Sequence, residues 1–190
     1  MANNEMMRRM AAQARRVGAV PQRRGDIIDC ISPQERAEIR RVLAEGENVP
    51  VSPERVGVCH EEDGRHDEAG HKFRLAAIAA KRKDFQRGLA LIERAVRNFA
   101  LAGNEYSATS TLRIAFCSLQ PEESERMARR LAEFCEIEAG KAKKTLPHRA
   151  GGLLKVASCL LDPFDYAMAT MLKAKGEILI ENAKRTAQSG

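Results

Sequence analysis

The chain has 190 residues, the length of one domain with an extension. Hydrophobic residues make up 44% but aromatics only 4%, with no Trp, so Ala and Leu must do most of the packing; this favours helices and argues against a sheet protein. A net charge of +6 admits nucleic acid or an acidic partner without requiring either, and no apolar run approaches the length that spans a bilayer.

Residues 1–31 read as a basic, flexible arm. Arg8, Arg9, Arg15, Arg16, Arg23 and Arg24 face only Glu5 in its first two dozen positions, and Gly18, Pro21 and Gly25 break any helix begun there. These arginines are candidate contacts to nucleic-acid phosphates. The arm holds no aromatic side chain to stack on bases, which argues against base reading by stacking. It also lacks the apolar core of a secretory signal, and that points to a cytoplasmic protein.

Residues 32–46 predict a short capped helix. In Ser32-Pro33-Gln34-Glu35 the serine can accept the Glu35 N–H, Pro33 suits the first helical position, and the Glu35 side chain can reach back. Gly46 is a natural stop. Residues 47–71 predict an irregular polar linker, punctuated by Pro50, Pro53, Gly57, Gly64 and Gly70. The linker gathers Cys59, His60, His66 and His71, which are good zinc ligands and could fix a floppy segment. Their spacing fits no standard zinc-finger pattern, so a His-rich polar loop is the favoured reading, and no cofactor is predicted.

From residue 72 to 187 the pattern becomes helical. Phe73, Ala76, Ala77 and Ala80 line one face of a first helix, and residues 81–84 make a polar turn. Phe85, Leu89, Ile92, Val96 and Phe99 then form a continuous stripe spaced four, three, four and three. Gly103 ends that helix and Asn104 caps a third, with Tyr106, Leu112, Ala115 and Phe116 among its apolar positions. Gln120-Pro121 forms a corner. A fourth helix carries Met127, Leu131, Phe134 and Ile137 and stops at Gly140. A basic connector (141–152, with Pro147) leads to a fifth helix marked by Leu153, Val156, Ala157 and Leu160. Asp162-Pro163 interrupts it, and a last helix follows with Tyr166, Met168, Met171, Leu172, Ile178 and Leu179.

Two of these helices open on one template. Asp84-Phe85 is followed by Gly88 and Ala95, and Asp165-Tyr166 by Ala169 and Gly176. Small residues seven apart share a helix face two turns apart, where they let a neighbouring helix come close. With KDFQRGLALIERAVRNFALAGN (83–104) as its clearest stretch, the region 73–187 resembles tetratricopeptide repeats. There a turn with an aromatic opens the second helix of each unit, and a small residue, an apolar pair and Glu-x-Ala follow. The two matched turns lie 81 residues apart, about two repeats plus an insertion.

The expected fold is therefore all-α: stacked antiparallel helical hairpins, a solenoid or compact bundle of tetratricopeptide type. The resemblance implies a groove lined by first helices that holds a peptide or helix of another protein. Lys72, Arg74, Asn104, Ser107, Thr111 and Arg113, polar residues on or beside first helices, are the candidate contacts. Exposed end faces also make a homodimer conceivable. The chain lacks GxSxG, GxxxxGK[ST], HExxH and GxGxxG, and no catalytic role is predicted. The expected function is that of an adaptor, regulator or chaperone-like binder. The alternative is a nucleic-acid-associated regulator acting through the arm.

Overall fold

The computed structural model describes residues 52–188, together with Ala37, which is helical and exposed. The predicted arm (1–31) and the rest of the capped helix (32–46) lie outside the described residues. Among the described residues there is no strand, and seven helices follow one another: α1 (Pro53–Glu62), α2 (His66–Lys81), α3 (Phe85–Leu101), α4 (Glu105–Phe116), α5 (Pro121–Ala142), α6 (Pro147–Leu161) and α7 (Tyr166–Gln188). None of them is long and apolar enough to cross a membrane.

Local chemistry sets the boundaries. The Asp84 carboxylate accepts the Arg87 N–H at 3.1 Å, and Asp165 accepts the Met168 N–H at 3.0 Å. The aspartates of the shared template are thus helix caps, which satisfy backbone donors that have no partner within the helix. Asn104 does the same for α4, accepting the Ser107 N–H at 3.0 Å just after Gly103, whose φ of +74° suits glycine. Pro121 and Pro147 stand at the first turns of α5 and α6, where their missing N–H removes no bond.

Alternate helices are tied side by side. Glu54 accepts from Arg87 at 2.6 Å between α1 and α3, and Glu93 pairs with Arg130 between α3 and α5. Arg129 and Asp165 pair at 3.4 Å between α5 and α7. In the other series, Asn104 donates to Asp67 at 2.8 Å and the Lys81 ammonium to the Ile114 carbonyl at 2.7 Å, joining α2 to α4. Lys155 meets Glu105 at 2.8 Å and joins α4 to α6. The result is two layers, α1–α3–α5–α7 and α2–α4–α6, with successive helices packed across the layers. The α2/α3 and α6/α7 hairpins are the most extensively packed, whereas α4 and α5 barely touch.

The core lies between the layers. Phe73, Leu91, Ile92, Phe99, Leu112, Leu131, Leu153, Leu160 and Leu172 are fully buried. The α3 stripe read from the sequence faces inward, and Leu91 joins it. The small residues of the template sit at close contacts. Ala95 and Ala169 are buried, and a methyl on Gly88 would stand 2.8 Å from the Lys81 Cα.

Several expectations are corrected. The described part of the predicted linker (52–71) is not irregular, because 53–62 and 66–71 are helical; its first residues, 47–51, lie outside the described residues. Pro53 opens a helix rather than breaking one, with Ser52 as its cap. Gly57 and Gly70 lie inside helices where the Phe73 and Phe99 rings press on the backbone; a Cβ would come to 3.0 and 2.8 Å of them. Gly140 does not stop α5, which runs on to Ala142, and α6 begins within the predicted basic connector. Tyr106, Ile137 and Ile178, counted among the apolar helix positions, are exposed.

One consequence of the α1 helix concerns pH. His60 is buried on α1, and burial, aided by the nearby Arg65 charge, holds its imidazole below the ordinary value. The unfolded chain therefore binds this proton more readily than the folded one. Stability from this group is complete above about pH 6.5 and is lost as the pH falls through that value towards the folded pKa. Thermal unfolding followed between pH 8 and 5 is expected to show this decline, and His60→Gln should flatten it.

Candidate partner-binding groove

The residues singled out by the sequence do not form one site. Cys59 and His60 are buried on α1. His66 Nδ1 lies 2.9 Å from Asn98 Oδ1. His71 packs edge-on against Phe99, with ring centroids 5.0 Å apart, and stands 3.6 Å from Asp67. Among the described residues no group of three or more His, Cys, Asp or Glu side chains is placed to hold a metal ion. The histidines are dispersed because a helix turns successive residues to different faces.

The polar residues expected to line a groove on the first helices also separate. Asn104 is committed as the α4 cap and as a donor to Asp67. Ser107 and Thr111 are buried in helix packing, and the Thr111 hydroxyl has no hydrogen-bond partner. Neither can reach a ligand. Lys72 and Arg74 are half-buried, and only Arg113 is exposed. Arg8, Arg9, Arg15, Arg16, Arg23 and Arg24 lie outside the described residues.

The open concavity lies elsewhere, between α5 and α7 with α6 as its floor. Both walls pack on α6 and are joined at one end by the Arg129–Asp165 ion pair. Further along they leave a groove of about 370 Å³. Leu154 and Leu172 form its base, Ile178 and Leu179 its α7 wall, and Ala139 and Gly140 its α5 wall. A Cβ added at Gly140 would meet nothing within 4 Å, so that wall is low. Glu136, Lys143 and Lys175 edge the apolar lining.

The α7 sequence explains why the groove stays open. Of its 23 residues only Ala169, Leu172 and Gly176 are buried, all in the first half. Gly151 and Gly176 bring α6 and α7 into backbone contact, since a Cβ on Gly151 would stand 2.6 Å from the Gly176 carbonyl oxygen. The helix is thereby held tightly on one side and leaves Met171 and Ile178 at 41% and 59% exposure on another. These two side chains lie two helical turns apart on α7, and Ile178 also lines the groove.

The cysteines offer no reactive centre in the groove. Burial pushes the Cys135 thiol up to about 12, which keeps it protonated and unreactive. Cys159 is also raised by burial and by the neighbouring Glu105 carboxylate.

Sequence reasoning missed the groove. It treated Gly140 as a helix end and counted Ile137 and Ile178 simply among the apolar positions of their helices. The available signal was the last helix itself, whose apolar positions are too many for the single face that α6 can cover.

No known protein family, curated protein or solved structure matches this chain.

Proposed function

We propose that this chain is a protein-interaction module, an adaptor, regulator or chaperone-like binder that works in the cytoplasm by holding a segment of another protein. The reading rests above all on the open apolar groove over α6, flanked by the exposed Met171 and Ile178. Two-layer arrays of this kind present rigid concave surfaces, and a helix or extended peptide gains affinity there by burying its apolar side. The likeness to tetratricopeptide repeats points the same way, although the groove lies between second helices. The reading makes the chain a binder and not a catalyst: the groove lining is mostly apolar, with Glu136, Lys143 and Lys175 at its edge.

Site-specific photo-crosslinking in the native host tests this. A photoreactive residue at position 178, beside the groove, should trap a discrete protein adduct. The same residue at position 106, more solvent-facing still but on α4, should not. No adduct from 178, or the same adducts from both positions, would remove the support.

A further inference from the structure

The charges around the groove carry the reading further and, resting on it, point to the partner's chemistry. Lys143 and Lys175 edge the apolar lining from opposite walls, and Lys144 is exposed at the same end of α5. Lys141, the next basic residue back, is already neutralised by Glu138 at 2.6 Å. Lys143, Lys144 and Lys175 have no ion-pair partner among the described residues, and Glu136 is the only acidic residue in the lining. The mouth of the groove is therefore an apolar slot between lysines. From Leu172 to Leu179 the α7 wall spans seven residues, about 10 Å, or two turns of a docked helix.

We infer that this groove takes an acidic amphipathic helix of another protein. Apolar side chains at positions i, i+3 or i+4, and i+7 of that helix would cover Leu154, Leu172 and Leu179, and carboxylates flanking them would meet Lys143 and Lys175. The lysines select the partner and speed its approach, while apolar burial holds it. Nucleic acid suits the slot poorly, because its floor is leucine and its lining offers no aromatic ring to stack on a base. A second copy suits it poorly as well. The chain carries a net +6, and reciprocal docking of α7 would bring Lys175 towards the Lys175 of its mate.

Fluorescence anisotropy with the full chain tests the inference. Three labelled two-to-three-turn helical peptides serve as probes: leucines on one face flanked by glutamates, the same peptide with lysines for glutamates, and the glutamate peptide with serines for leucines. The acidic amphipathic peptide should bind at least about tenfold tighter than either of the others, and added salt should weaken it. The double variant Lys143→Glu, Lys175→Glu should reverse the preference between the glutamate and lysine peptides. Both lysines lie at the edge of the groove, so circular dichroism should show the fold unchanged. Equal or tighter binding of the lysine peptide overturns the inference, as does binding of none of the three. The adduct trapped from position 178 separates this failure from that of the module itself. A trapped segment that is basic or neutral leaves the groove a docking site and sinks its acidic partner. Self-crosslinking or trapped nucleic acid rejects both the partner class and the apolar-helix reading, and no adduct removes the module reading altogether.

Discussion

Gly151→Ala is expected to destabilise the protein by about 1–3 kcal/mol, against a gain for the same change one residue later. At Gly151 a methyl would stand 2.6 Å from both the Gly176 carbonyl oxygen and the Ile180 Cγ1. The nearest atom belongs to backbone, so no side-chain rotation relieves the clash; α6 and α7 must move apart along their most extensive contact. The better helix propensity of alanine, roughly 0.5–1 kcal/mol, offsets only part of that. At Gly152 a methyl would meet nothing within 4 Å, and Gly152→Ala should stabilise by roughly that propensity term. Urea unfolding midpoints of the two variants should move in opposite directions. Equal shifts would mean that the α6/α7 backbone contact does not hold this hairpin together.

Asn98→Leu should remove roughly 2–3 kcal/mol, although it keeps the same branched side-chain skeleton. Asn98 is fully buried on α3. Its amide nitrogen donates to Glu61 Oε1 at 2.6 Å and to the Arg94 carbonyl at 3.1 Å. With both donors committed, its oxygen accepts, and His66 Nδ1, 2.9 Å away, carries the proton between them. The same Glu61 carboxylate takes a 2.8 Å bond from Arg94 Nε, and the Arg94 guanidinium lies 4.6 Å from the centre of the Phe73 ring. One amide thus ties α1, α2 and α3 together. Leucine would deprive the Glu61 carboxylate and the His66 imidazole of a partner at once. Glu68→Ala is the control: its pair with Arg65 is about half exposed on each side, and its loss should move the unfolding midpoint far less than Asn98→Leu does. Thermal unfolding of both variants checks the contrast.

What the sequence made legible was local. The stripe from Leu89 to Phe99, the cap at Asn104 and the small residue at Gly88 each depend on neighbours within a few turns, and each stands as read; the template aspartates, read as turn residues, prove to be caps. The failures came where a residue answers to a distant one. Gly57 and Gly70 look like loop punctuation until the Phe73 and Phe99 rings are seen to occupy the space their side chains would fill. Tyr106 and Ile178 look like core until it is clear that no helix lies over them. The groove was beyond reach for the same reason. Its base joins Leu154 of α6 to Leu172 of α7 and its wall takes Ala139 from a third helix, and only the packing of α5 and α7 on α6 brings them together.

The two-layer arrangement has a bearing on how the chain assembles. Its side-chain ties between alternate helices mostly join residues 33 to 37 apart. Each tie closes a short segment, so the entropy lost at every step is modest. Assembly can then proceed by accretion, each helix settling on the one or two already in place. The longest tie, from Glu105 to Cys159 at 54 residues, joins α4 to α6 across the whole of α5, and closing it costs more chain entropy than any of the shorter ones.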